Sequence, residues 1–181
     1  MIKENNLVRW TIQGDTMCVM QEHARMKCLG LGSRIRGRKF TKEELFEWQL
    51  IGVLCTYAGI RLITGSDELY HQHMRETGSN PVGDGGTDIP GARVDIKGSL
   101  MRRSKNPLSY RLLIRPREFH ENTTYILALV DEMAPSGANG YIVGFMDFSE
   151  ILDVSVTDPT FGDARVVAAN LLNPVMNCRW G

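Results

Sequence analysis

The chain has 181 residues, a hydrophobic fraction of 43% and 21 basic side chains balanced by 21 acidic ones. That length suits one globular domain with a sizeable core, and the balance of charge excludes a generally basic nucleic-acid coat, so any electrostatic signal must be positional. The opening "MIKENNLVRW" lacks the apolar core of a signal peptide, and no run approaches the roughly 18 apolar residues that span a bilayer, so a cytoplasmic protein with no membrane partner is expected.

Along the chain, Asp15 reads as the N-cap of a helix over residues 16–30, in which Met17, Met20, Ala24 and Cys28 recur at helical spacing. The stripe reads as core. A short loop, "SRIRGRKF", then gathers Arg34, Arg36, Arg38 and Lys39, and Thr41 caps a second helix over residues 42–64 in a capping-box pattern with Glu44. Beyond Trp48 this helix is apolar around most of its circumference and should be buried on several sides. Residues 65–86 are polar, and 66–80 read as a helix or a loop. Residues 87–89 and 92–99 read as short strands joined at Pro90-Gly91. The runs "YRLLI", "TTYILALV" and "GYIVGFM" are further strands, the second apolar enough to lie deep in a sheet, and "DFSEILD" is a short capped helix. The order predicts an α/β or α+β architecture, a sheet flanked by helices, in one domain without internal repeats.

Cys18, Cys28, Cys55 and Cys178 form no CxxC pair and are expected as reduced, mostly buried thiols. His71 and His73 stand two apart in a helix or loop, which is not a shared face, so they predict no metal site.

The most informative stretch is "GDGGTDIPGARVDIKGSL", residues 83–100. Period-two alternation puts Val94 and Ile96 on one face of its second strand and Arg93, Asp95 and Lys97 on the other. If Asp88 meets Asp95, the two carboxylates repel, and a hard divalent cation such as Mg²⁺ relieves that repulsion. A lysine beside the second acid can hold or help deprotonate a metal-bound water while the metal offsets charge on an attacked phosphate. Such a site suits phosphodiester hydrolysis. The same spacing also fits a hairpin whose charged residues merely solvate its open face, with Asp88 as a turn residue. An Asp, a gap and then Asp/Glu-x-Lys should occur roughly once by chance in a chain this long.

Asp88-x6-Asp95-Ile96-Lys97-Gly98, placed on a hairpin behind a buried helix and ahead of two very apolar strands, resembles the PD-(D/E)xK nuclease superfamily, small phage and bacterial type, over residues 45–152. The resemblance implies a restriction-endonuclease-like fold, a central mixed β-sheet flanked by helices, with an N-terminal helical extension (1–40), a catalytic core (41–155) and a C-terminal extension (156–181). It further implies a Mg²⁺-dependent DNA endonuclease, with Mn²⁺ as a substitute. Asp88 and Asp95 take the places of the two metal-binding acids, Lys97 that of the catalytic lysine, and the Ile96 carbonyl that of a further ligand. Two departures stand out. Thr87 replaces the motif's proline, and Thr56, within "GVLCTYAG", stands where many members carry a glutamate. Glu47 faces nearly opposite to Thr56 on that helix, whereas Gln49 shares its face. A reduced metal shell, an acid from elsewhere such as Glu68, and an inactive descendant all remain open.

Two cationic clusters, Arg34, Arg36, Arg38 and Lys39 before the central helix and Arg102, Arg103 and Lys105 after the DIK strand, are the expected contacts to a DNA backbone. Arg111, Arg115 and Arg117 follow, some of them on an outer face. One such site cuts one strand, so paired cuts call for a homodimer. If the chain is phage-encoded, it would work in the host-cell cytoplasm. The alternatives are a catalytically inactive DNA-binding module of the same fold and an unrelated α+β protein. No GxGxxG or P-loop supports a nucleotide-binding enzyme.

Overall fold

Six consecutive residues, Tyr125–Val130, are buried without a break, and a strand in that condition needs cover on both of its faces. The computed structural model supplies it; residues 2–29, 31, 34–35, 38–77, 87–89 and 91–177 are described, with backbone alone at 34, 35, 38 and 177. The elements run β1 (Val8–Gln13), α1 (Gly14–Leu29), β2 (Arg34–Ile35), β3 (Arg38–Lys39), α2 (Lys42–Thr64), α3 (Asp67–Thr77), β4 (Val94–Leu100), β5 (Arg111–Ile114), β6 (Thr124–Ala134), β7 (Gly137–Asp147), α4 (Phe148–Val154), β8 (Val156–Asp158) and β9 (Ala164–Ala168). A four-stranded sheet has the order β1-β7-β6-β4, with β4 parallel to β6 and the other pairs antiparallel. A second, antiparallel sheet has the order β5-β9-β8. The architecture is mixed α+β. No helix among the described residues is long and apolar enough to cross a membrane.

Alternation along β6 divides its side chains between two cores. Ile126, Ala128 and Val130 join residues of α1 and α2, while Tyr125, Leu127 and Leu129 join Leu112 and Ile114 of β5, Ile151 of α4 and Val167 of β9. The four-stranded sheet is therefore sandwiched between helices on one face and the small sheet on the other.

The sequence specifies α2 at both ends. The Thr41 hydroxyl accepts the Glu44 N–H at 3.1 Å and the Glu44 carboxylate accepts the Thr41 N–H at 2.9 Å, a reciprocal cap whose loss by Thr41→Ala would cost about 1 kcal/mol. The helix stops at Gly65, whose φ of +67° suits a left-handed C-cap. Its middle lies hard against β4: a Cβ on Gly59 would come within 2.6 Å of Ile96 Cδ1, and one on Gly98 within 2.9 Å of Cys55 Cβ. That approach, open to glycine alone, sets the distance from α2 to the strand carrying Asp95 and Lys97.

Several expectations change. Residues 1–40 are not a helical extension, because β1 pairs with β7 from Val8↔Ile142 to Gln13↔Gly137 and belongs to the main sheet. Asp15 lies in the first turn of α1, not at its cap. Residues 156–181 are not merely an extension, since β8 and β9 build the second sheet with β5. Residues 87–89 form a bend rather than a strand, joined to β4 by the Asp88 N–H donating to the Val94 carbonyl at 2.7 Å. Pro90 of the expected turn and Cys178 lie outside the described residues. Cys55 is buried and Cys28 half-buried, but Cys18 is exposed.

Candidate functional site

Among the described residues β4 is an edge strand, so peptide groups on its outer side have no neighbouring strand of the sheet there to pair with. Asp88 takes up one of them: its Oδ2 accepts the Ile96 N–H at 2.6 Å. A residue in a strand turns its N–H and C=O toward the same edge, so the Ile96 carbonyl faces that margin too. The other Asp88 oxygen points toward the helices. Oδ1 lies 3.4 Å from Thr56 Oγ1 on α2 and 3.6 Å from His73 Nε2 on α3. His73 is 2% exposed and Asp88 7%, and Thr77 Oγ1 lies 3.3 Å from the same His73 nitrogen.

Asp95 and Lys97 occupy the opposite face of β4, toward the small sheet. Lys97 Nζ lies 2.7 Å from Asp95 Oδ2 and 3.1 Å from Glu118 Oε2, so two carboxylates converge on one ammonium. Burial works against the charge on Lys97, but Asp95 and Glu118 together hold its pKa above the ordinary lysine value. Glu118 ends a 3-10 turn, Pro116–Glu118, pinned where the Tyr125 hydroxyl donates to the Glu118 carbonyl at 2.9 Å and accepts the His120 N–H at 2.7 Å. Arg115 reaches the other Glu118 oxygen at 3.1 Å. Burial pushes the Glu118 carboxyl up, yet Lys97 and Arg115 prevail and hold it below the usual range.

The structure thus unites Asp95 with Lys97 as the alternation requires and adds Glu118, whereas Asp88 reaches the same strand at the Ile96 peptide and turns its other oxygen to Thr56 and His73, on the face opposite Asp95. Among the described residues no three His, Cys, Asp or Glu side chains are grouped as a ready-made metal cage. The donors are nevertheless hard oxygens, carboxylates and a peptide carbonyl without a thiolate, which suit Mg²⁺, an ion usually held by one or two carboxylates with water and phosphate completing its shell. Glu68 is not at the site; it pairs with Arg75 at 2.9 Å on α3.

Lys97 and Glu118 open onto a cleft of about 870 Å³ along the margin of β4. Five cations line it, Lys97, Arg102, Arg103, Arg111 and Arg115, against two carboxylates, Glu118 and Asp158. Arg102 pairs with Glu47 of α2. Arg103 and Arg111 have no ion-pair partner among the described residues. Lys105 does not join them: it pairs with Asp131 at 2.6 Å and lines a separate hollow with Arg9 and Tyr141. Of the first basic cluster, Lys39 is exposed, the side chains of Arg34 and Arg38 lie outside the described residues, and so does Arg36 altogether.

Sequence reasoning did not find Glu118, and it set His73 aside with His71. The run "RPRE" carried a trace of the first, since Arg-Pro after a strand marks a turn that could return an acid toward its neighbour. No family model matches the chain, and no curated protein or solved structure matches it.

Proposed function

We propose that the chain is a Mg²⁺-dependent DNA endonuclease of the restriction-endonuclease-like type, hydrolysing phosphodiester bonds at β4. The observation that carries this reading is the junction of a cationic cleft with a lysine shared by two carboxylates. A phosphate chain is drawn by the cleft's net charge, and Lys97 then presents a fixed ammonium to an oxygen of the scissile group. Because its neighbours hold Lys97 protonated, it orients a water and offsets negative charge in the transition state, and does not itself take the water's proton.

Asp95, with the Ile96 carbonyl at the margin of β4, would hold the metal, with Asp88 approaching that margin from the helical side; Glu118 would add a carboxylate on the small-sheet face, not at the Thr56 position. When bound, Mg²⁺ would act as a Lewis acid toward the phosphoryl oxygens and acidify a coordinated water. His73 and Thr56 hold Asp88 in orientation from the helical side. Arg103 and Arg111 bind backbone phosphates on either side of the reacting one. One such site cuts one strand, so paired cuts need a second copy of the chain.

Supercoiled plasmid incubated with Mg²⁺, Mn²⁺ or EDTA tests this. Nicking that requires the divalent ion and disappears in Asp95→Asn is expected. DNA binding without nicking in any metal would instead favour the inactive DNA-binding module, a reading that rests on Thr56 in place of an acid.

A further inference from the structure

The cleft carries a second kind of chemistry that phosphate binding alone does not use. Trp48 is 39% exposed and Phe161 54% exposed, and both line the same cleft. Isolated exposed aromatics are ordinary on a protein surface; two on facing walls of one cationic groove are a different matter. Trp48 belongs to α2, which covers the helical face of the main sheet, and Phe161 to a 3-10 turn, Pro159–Phe161, between β8 and β9 of the small sheet on the other face. The open margin of β4 lies between them. Phe40 stacks on the Trp48 indole, with centroids 5.8 Å apart and planes within 8°, so the wall is a two-ring pile with Trp48 facing the cleft. Leu100 and Leu113 add apolar floor.

Cations spaced along a groove with aromatic faces turned into it match what an unpaired strand offers: a phosphate at each step and a free base face beside it. A duplex offers only the first, since its bases are already stacked and its surface is sugar and phosphate. A cleft of about 870 Å³ is also of the size that encloses a small ligand, enough for a few nucleotides of one strand. Resting on the assignment of this cleft to nucleic acid, we infer that it takes an unpaired polynucleotide strand, with bases stacked on Trp48 and Phe161 and phosphates held by Arg103 and Arg111.

Binding in EDTA tests this without requiring catalysis. Fluorescence anisotropy would compare oligothymidylate, oligouridylate and a duplex, each of about 15 nucleotides per strand. Either unpaired oligomer should bind at least tenfold tighter than the duplex, and the tighter of the two names the sugar. Trp48→Ala and Phe161→Ala should each weaken that binding by about 5- to 150-fold and leave its salt dependence unchanged, while Trp48→Phe restores most of the loss. Phe161 is exposed enough that its variant will fold. Equal or tighter binding of the duplex overturns the inference, as does unchanged affinity in both alanine variants. A chain that binds unpaired strands but cuts nothing in Mg²⁺ retains the inference and loses the nuclease reading. A chain that cuts plasmid yet binds duplex best does the reverse.

Discussion

Thr56 sets its hydroxyl 3.4 Å from the Asp88 carboxylate, so the face of α2 where the resemblance leads one to expect a glutamate does look at the site. Thr56→Glu would put a second buried carboxylate beside Asp88, and in EDTA the melting temperature should fall sharply because like charges out of water repel strongly. Mg²⁺ should then raise it more than in the parent, since a ligand that binds only the folded chain stabilises it by mass action. A variant whose melting is indifferent to Mg²⁺ would remove Asp88 from the proposed metal site.

Lys97→Ala should lower the cleavage rate by about 100-fold or more while leaving bound DNA in place, the pattern of an interaction made mainly in the transition state. It should also destabilise the chain in EDTA by about 2–4 kcal/mol, because Asp95 and Glu118 lose the ammonium they share. Asp95→Asn should lose metal affinity together with cleavage. Calorimetric Mg²⁺ titration beside a plasmid assay separates the two variants; a parental rate in Lys97→Ala would show that the lysine has no part in the chemistry.

Arg103→Ala and Arg111→Ala should each reduce the slope of log affinity against log salt by about 0.7 for an unpaired strand. Lys105→Ala should leave it unchanged, because that lysine faces Asp131 away from the cleft. Anisotropy titrations over a range of salt concentrations measure all three, and a slope altered by Lys105→Ala alone would move the interface to the other hollow.

Glu118 has its folded-state pKa depressed by Lys97 and Arg115 against the opposing effect of burial. Its contribution to stability is therefore complete above the unfolded value of about 4.3 and is lost as pH falls through the lower folded value. Glu118→Gln should be less stable than the parent at pH 7 and approach it at low pH. Urea melts across pH 2–7 would check the convergence, and a constant gap between the two curves would contradict it.

Burial pushes the Cys55 thiol up to about 12, so at pH 8 it carries almost no thiolate. Iodoacetamide should alkylate the exposed Cys18 in the native chain and spare Cys55 until the chain is unfolded. Peptide mass spectrometry reads both positions.

Much of this arrangement follows from local signals. The unbroken apolar run of β6, the Thr41–Glu44 cap and the alternation that puts Asp95 and Lys97 on one face need no knowledge of distant residues. Most of what escaped notice depends on pairing across the chain. β1 alternates apolar Val8, Trp10 and Ile12 with polar Arg9, Thr11 and Gln13, so its strand pattern is local and was passed over; its partner, β7, lies over a hundred residues later and is not encoded nearby. β8 and β9 are short and acquire their strand character from pairing, β9 with β5 and β8 with β9. Glu118 meets Lys97 because β5 leaves the main sheet for the second one, so a turn 21 residues downstream swings back over β4. His73 reaches Asp88 across a helix-to-edge contact that no periodicity encodes. Arg102 and Lys105 look like one cluster in sequence, yet the intervening chain sends them to different hollows.

The marginal position of β4 has a colloidal consequence. A strand with unspent peptide groups is a template on which a second copy of the same strand can pair. Here Asp88 blocks the edge at Ile96, and beyond it come Lys97, the bare Gly98 and then the exposed Arg102 and Arg103. The cations that would meet a phosphate would thus also hinder two molecules from zipping together along this edge. Neutralising them removes both effects, and the variants should show light scattering that grows with protein concentration where the parent shows none.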